Sequence, residues 1–186
     1  MPAIEKRHFA NFTILYFKVP ESSSLIQEIL DEFQNAQEFH EYSHKIGGRW
    51  ENTYTPVSLV PSSKKLFHVA IKTVSAHFNR STLVTHSVTG MKNVGFWFNH
   101  MPPGSRTGLH DHKKNAFMSG VFYLDVPKNS GNLFFQNETQ EELEIKSKSG
   151  KMLLFPPSIK HRVSENKSSG NRISLAFNLH TLPLEI

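Results

Sequence analysis

Five residues in the second half of the chain could do chemistry together: His110, His112, His161, Arg172 and Ser174. His110 and His112 are separated by one residue, and on a β-strand such positions project from one face while Asp111 projects from the other. Neutral imidazoles ligate iron, copper, nickel and zinc, and three of them leave coordination positions open for small molecules. Downstream, Arg172 and Ser174 share a strand face in the run Asn171-Arg172-Ile173-Ser174-Leu175-Ala176-Phe177-Asn178. An arginine in an apolar strand needs an anion, because a buried unpaired charge is costly. Its planar fork suits a carboxylate, and the Ser174 hydroxyl can add a hydrogen bond. A metal with open positions beside a carboxylate clamp describes a site for a small organic acid that chelates the metal.

Each of these residues also has an ordinary explanation. His110 and His112 could face solvent on an edge strand. Arg172 could pair with a surface acid such as Glu165, Asp125 or Glu141. A tyrosine such as Tyr123 is commonly an aromatic at the core edge. His68, His77 and His86 recur at nine-residue intervals, which reads as coincidence on surface or core-edge positions. The order and spacing of the first five residues, taken together, favour the functional reading.

The elements that must position them can be read from periodicity. Residues 8–19 read as a strand ended by Pro20. A helix follows, with Ser24 and Gln27 spaced as a capping box and Leu25, Ile26, Ile29, Leu30 and Phe33 at helical intervals; it fades near His40. Gly47 and Gly48 close this unit, and residues 49–62 read as an irregular link. A second helix begins at Ser62 or Ser63 and runs to about Phe78, with Leu66, Val69, Ala70, Thr73, Val74 and His77 as its stripe. From residue 93 the pattern changes to short strands at 93–100, 107–113, 117–125, 132–136, 142–146, 151–155, 160–164 and 171–179, separated by Pro, Gly, Asn and Ser. Eight such strands with no long helix between them predict a mainly β protein with N-terminal helices, built on a double-stranded β-helix, the cupin-like jelly roll. Residues 1–186 then form one domain: 1–90 an N-terminal strand and supporting helices, 91–180 the jelly-roll core that carries the site.

Composition narrows the function classes. A chain of 186 residues can bury a real core without a structural metal. It has no cysteine, which excludes disulfides, thiolate zinc sites, iron–sulfur clusters and a cysteine nucleophile. No apolar run approaches membrane-spanning length and the start, MPAIEKRHFANF, has no signal-peptide pattern, so a soluble cytoplasmic protein with no membrane partner is expected. The net charge of +5 comes from scattered lysines and arginines. That scatter argues against nucleic acid as a partner. A homo-oligomer is compatible with this composition.

Four ordered motifs carry a resemblance. Leu109-His110-Asp111-His112, Ser119-Gly120-Val121-Phe122-Tyr123-Leu124, Leu153-Leu154-Phe155-Pro156-Pro157 with His161-Arg162-Val163, and Arg172 to Asn178 resemble the Fe(II)/2-oxoglutarate-dependent oxygenases, in particular the small bacterial and phage-type branch with a His-x-His pair. The resemblance spans roughly residues 93–180. It implies an Fe(II) barrel enzyme that uses 2-oxoglutarate and O2 to hydroxylate a small molecule or a protein side chain, releasing succinate and CO2. Carried over by position, His110 and His161 resemble the first and last iron ligands, and Arg172 the residue that holds the far carboxylate of 2-oxoglutarate. Ser174 resembles its hydroxyl helper, and Tyr123 a tyrosine that binds the co-substrate. The wider superfamily places Asp or Glu where this chain has His112. A three-histidine site is favoured, with Asp111 as alternative ligand if a bulge turns it inward.

Two rival readings fit the same residues. Gly104 ahead of His110 and His112, with Gly150, Pro156 and His161, approximates the two cupin motifs, although Ala116 and Phe117 stand where a cupin glutamate is expected. A three-histidine cupin dioxygenase that does not use 2-oxoglutarate fits that pattern. A non-catalytic β-barrel binding module would keep the fold and hold no metal.

Overall fold

The computed structural model describes residues 2–46, 49–85, 95–112 and 116–182. The chain opens with a hairpin, β1 (Ile4–Phe9) and β2 (Phe12–Lys18), followed by helix α1 (Ser22–Asn35), a single 3-10 turn, and a second hairpin, β3 (Glu41–Ile46) and β4 (Arg49–Tyr54). Helix α2 (Ser63–Phe78) and the short β5 (Thr82–Leu83) lead into the barrel strands. These are β6 (Phe96–Met101), β7 (Thr107–His110), β8 (Met118–Asp125), β9 (Leu133–Gln136), β10 (Glu142–Ile145), β11 (Lys151–Phe155), β12 (Lys160–Val163) and β13 (Arg172–Thr181). All eight expected barrel strands form among the described residues, with small differences at their ends; residues 93, 94 and 113 of the expected strands lie outside the described residues.

Two sheets result. The larger has the order β1-β2-β11-β8-β13-β6-β4-β3, with β5 pairing β13, and the smaller the order β10-β9-β12-β7. The described pairings are all antiparallel. This is the double-stranded β-helix the spacing predicts.

The central strands read as nearly continuous apolar runs because both of their faces are covered. Period-two alternation then sorts the side chains. Leu15, Phe17, Phe122, Leu124, Met152, Leu154, Leu175 and Phe177 pack under the helices with Leu25, Ile29, Leu66 and Phe67. Ile14, Tyr16, Tyr123, Leu153 and Phe155 point the other way and fill the barrel with Leu133, Phe135, Ile145 and Ile159 of the smaller sheet and its loops. Each such phenylalanine contributes about 1.5–3 kcal/mol by leaving water.

The N-terminal third departs from expectation in three ways. Residues 8–19 are not one strand: Ala10, at φ 51°, turns the chain so that Phe9 pairs with Phe12. A left-handed alanine carries no composition signal, so the turn was invisible. The capping box does not form either. The helix starts three residues earlier, with Glu21 rather than Ser24 at the N-cap and Ser22 as its first residue; Glu21 makes no side-chain cap bond, and Gln27 Nε2 donates to Asp31 instead. Finally, the irregular link contains β4, which pairs with β6 through Asn52 and Asn99 and so extends the larger sheet. Polar residues such as Asn52 and Thr53 hid that strand, and only pairing to a neighbour makes it one. Gly47 and Gly48 lie outside the described residues. Helix α2 starts and ends as its stripe predicts, with Phe67 added to its buried face.

Candidate metal centre

Strand pairing brings the two histidine motifs together. His110 ends β7 and is the register partner of His161 on β12. Paired residues of antiparallel strands put their side chains on one face, so these two imidazoles adjoin, with ring centroids 4.3 Å apart. His112 lies past the end of β7 rather than inside a strand, and its backbone N–H donates to Pro157 O at 2.7 Å. Its ring sits 5.2 Å from that of His110 and 4.9 Å from that of His161. One ligand nitrogen from each of the three can be chosen so that all lie within 4.8 Å of one another. Asp111, the alternative ligand, is not part of this group.

The second ring nitrogen of every imidazole is engaged. Nδ1 of His110 faces Gly108 O at 2.8 Å, Nδ1 of His161 faces Ile159 O at 3.1 Å, and Nδ1 of His112 lies 3.0 Å from Ser119 Oγ. Such bonds leave Nε2 for a metal and fix the ring plane. Phe155 stacks edge-on at 4.9 Å against His161, and Trp97 edge-on at 5.6 Å against His112. His161 is 4 % exposed, while His110 stands at the open side beside exposed Leu109. Burial, reinforced by the neighbouring imidazoles, pushes His161 down to about 3 and His112 down to about 4. Both are neutral at pH 7, the form that binds a metal.

A second polar group lies within the same barrel. Arg172, 1 % exposed, holds its guanidinium 5.3 Å above the ring of fully buried Tyr123. Its Nη2 donates to Ser147 Oγ at 3.2 Å and its Nη1 to Met101 Sδ at 3.5 Å. Among the described residues no carboxylate pairs with it, so the surface-acid explanation fails. Arg172 Nε and the Tyr123 hydroxyl are both buried without a hydrogen-bond partner. An orphaned donor in an apolar interior costs about 1–3 kcal/mol, and more when charged. Two of them side by side make a receptor for an acceptor-rich group. Ser174, 2 % exposed, is the register partner of Tyr123 and belongs to the same face.

The structure therefore brings together His110, His112 and His161 at one place, on and just past strands of the smaller sheet, and Arg172, Tyr123 and Ser174 at another, on β8 and β13 of the larger sheet. Of the nine-residue histidine series, His68 is exposed and His77 bonds the Thr73 carbonyl of its own helix; His86 lies outside the described residues. Trp97, Ser147 and Met101 escaped the sequence reading. No local pattern distinguishes them, since each reaches the site only through a pairing or loop contact from elsewhere in the chain.

The comparisons with known proteins agree with this geometry. The family model described as "Putative 2OG-Fe(II) oxygenase" matches residues 95–142 and 135–178, which span the barrel strands and all six site residues. Over those residues the chain matches the model of the 2OG-Fe(II) oxygenase family. Its fold is similar to that of a Pseudomonas putida prolyl-4-hydroxylase, at 14% identity and TM-score 0.63 over 91% of each chain. It is likewise similar to a Trichoplax adhaerens prolyl hydroxylase in complex with a peptide fragment of the hypoxia inducible factor oxygen degradation domain, at 13% identity and TM-score 0.68 over 90% of this chain and 83% of that one. The non-heme alpha ketoglutarate dependent carbocyclase SnoK from nogalamycin biosynthesis gives 11% identity and TM-score 0.63 over 89% and 78%. No curated protein sequence matches the chain. The family implies Fe(II), 2-oxoglutarate and O2, and the residues fit them: three imidazole nitrogen donors suit Fe(II), and the unpartnered Arg172 Nε beside the Tyr123 phenol suits a carboxylate.

Proposed function

We propose that the protein is an Fe(II)- and 2-oxoglutarate-dependent dioxygenase that hydroxylates a substrate at the barrel mouth. The observation that carries this reading is the buried, unpaired Arg172 Nε and Tyr123 hydroxyl in the barrel that also gathers three imidazoles. When bound, iron and 2-oxoglutarate supply the oxidative chemistry: O2 is consumed, 2-oxoglutarate is split to succinate and CO2, and a substrate C–H becomes C–OH.

His110, His112 and His161 hold the iron through Nε2. Arg172 and the Tyr123 hydroxyl bind the far carboxylate of 2-oxoglutarate, with Ser174 beside them, and this fixes the acid's length along the barrel. Phe135, Phe155 and Leu153 line the interior and exclude water, which strengthens each polar contact made there. Three neutral ligands leave the metal's full charge to its anionic partner, so co-substrate binding gains where a carboxylate ligand would oppose it. His110 and Leu109 are exposed, which puts the reacting side of the centre within reach of a small molecule or a side chain of a protein. Similar folds in the T. adhaerens hydroxylase, with its peptide, and in SnoK support both substrate classes.

The test is anaerobic Fe(II) reconstitution followed by calorimetric titration with 2-oxoglutarate. About one iron per chain and saturable 2-oxoglutarate binding are expected. Arg172→Ala should keep the iron and lose 2-oxoglutarate binding by at least 100-fold, a loss in line with removing a buried charge-assisted pair. Normal 2-oxoglutarate binding by that variant would refute the carboxylate clamp.

A further inference from the structure

We infer that Ser119 and Asn178 are positioning residues for the metal centre: together they hold His112 with its Nδ1 protonated and its Nε2 lone pair free for the metal. This rests on the reading of His110, His112 and His161 as ligands.

The three imidazoles are oriented by two different devices. His110 and His161 each face the carbonyl oxygen two residues earlier, Gly108 O and Ile159 O. A carbonyl only accepts, so Nδ1 must carry the proton and the lone pair falls on Nε2. That orientation is built into the backbone, and no neighbouring side chain is needed for it. Among the described residues no carbonyl faces His112 Nδ1. Its Nδ1 meets a hydroxyl, Ser119 Oγ, at 3.0 Å. A hydroxyl can donate or accept, so Ser119 alone would leave the tautomer open. Asn178 closes the choice: Ser119 Oγ donates its one proton to Asn178 Oδ1 at 2.9 Å, and what remains to His112 is an acceptor.

The relay is made by sheet register. Ser119 on β8 and Asn178 on β13 are cross-strand partners, so their side chains stand on the same face. Ser119 is 1 % exposed. Asn178 is further tied through its backbone N–H to Gly95 O at 2.7 Å. Trp97, paired with Ala176 on the same β13, closes against the His112 ring. Two central strands of the larger sheet thus anchor the one imidazole that lies beyond the end of its own strand. A carboxylate ligand at this position would need no tautomer selection. A histidine does, and the chain supplies a hydroxyl and an amide for it.

Co(II) alone is the probe, titrated into metal-free protein and read by calorimetry and its visible absorption. Ser119→Ala and Asn178→Leu should each weaken Co(II) binding about 10- to 100-fold, the range for loss of a group that orients a ligand. Ser119→Thr and Asn178→Asp should bind within a few fold of the parent, since the first keeps the hydroxyl and the second keeps an acceptor. The double variant Ser119→Ala/Asn178→Leu should lose no more than either single change, because both break one relay. The readout that a merely structural role would not move is the 15N shift pair of His112 in metal-free protein, expected as Nδ1–H in the parent and as a mixture in Ser119→Ala. Unchanged Co(II) affinity in Ser119→Ala, or an Nε2–H His112 in the parent, overturns the inference. Loss of Co(II) binding in His112→Ala beside an intact Ser119→Ala would sink the relay alone. A parent protein that binds no Co(II) would sink the ligand reading and the relay together.

Discussion

The two faces of the same central strands have been put to opposite uses. Toward the helices, β8 and β13 show Phe122, Leu124, Leu175 and Phe177, closed over by Leu66, Phe67 and Ile29 with no buried charge among them. Toward the barrel, the same two strands show Ser119, Tyr123, Arg172, Ser174 and Asn178 between apolar neighbours, and His161 joins them from the opposite sheet. The first face maximises dispersion and water exclusion. The second carries a cation with no carboxylate partner among the described residues, its Nε and the neighbouring phenol both without a hydrogen bond, an arrangement that weakens the ligand-free protein and is useful only when something binds. Alternation lets one strand do both, since adjacent residues never share a face.

Four substitutions or conditions should break or sharpen that contrast. Phe177→Ala, on the helix side, removes a fully buried ring that packs 5.5 Å from Phe67. It should cost about 3–5 kcal/mol in urea unfolding and leave iron content and 2-oxoglutarate affinity of the folded fraction unchanged. A change in those affinities would show that the two faces are not separable.

Acid should act on the other face. His112 and His161 lie below their ordinary value of 6.5 through burial first and neighbouring imidazoles second. Between the folded and unfolded values the unfolded chain binds more protons. Stability of the metal-free protein is therefore full above about pH 6.5 and falls as the pH drops toward 4 for His112 and 3 for His161. The loss reaches up to about 1.4 kcal/mol per pH unit for each histidine, so up to about 4 kcal/mol at pH 5. Thermal unfolding of the metal-free parent and of His161→Phe across pH 7.5 to 5 checks this, with the flatter profile expected in the variant.

Arg172→Met tests the idea of a stored cost directly. Replacing a buried unpaired charge by an apolar side chain of similar length should raise the stability of the ligand-free protein by about 1–4 kcal/mol while 2-oxoglutarate binding disappears. A destabilised variant would mean that Ser147 and Met101 already compensate the guanidinium. The smallest effect belongs to the rim, where Arg162 pairs with Glu142 at 2.6 Å, each side chain about a third exposed. Arg162→Ala should change stability by less than about 1 kcal/mol and spare both binding reactions, read by the same unfolding and calorimetric assays.

Legibility followed the range of the interactions involved. The eight barrel strands and helix α2 could be picked out because period-two patterning and turn residues are local; His110, His112, His161, Arg172 and Ser174 stood out as candidates by type and spacing, and Tyr123 only through the family resemblance. β4 could not, since polar residues such as Asn52 and Thr53 become a strand only by pairing with neighbours, β3 on one side and β6 on the other. Nor could the break at Ala10, where a residue of no turn propensity adopts φ 51° under the pull of the β1–β2 pairing. His112 was expected within a strand alongside His110. It reaches the site instead through its backbone bond to Pro157, a contact forty-five residues away in sequence.

By itself, then, the order of residues determined that the chain would alternate in and out of a barrel and which side chains would be available inside it. Convergence was decided only by tertiary structure: the His110–His161 register, the Arg172 guanidinium over Tyr123, and the cross-strand pair of Ser119 and Asn178 behind His112. The reason is geometric. Periodicity assigns a side chain to a face, but a shift of one residue in pairing would move every one of these groups to the other side, and only the packing of both faces at once holds the register where the site assembles.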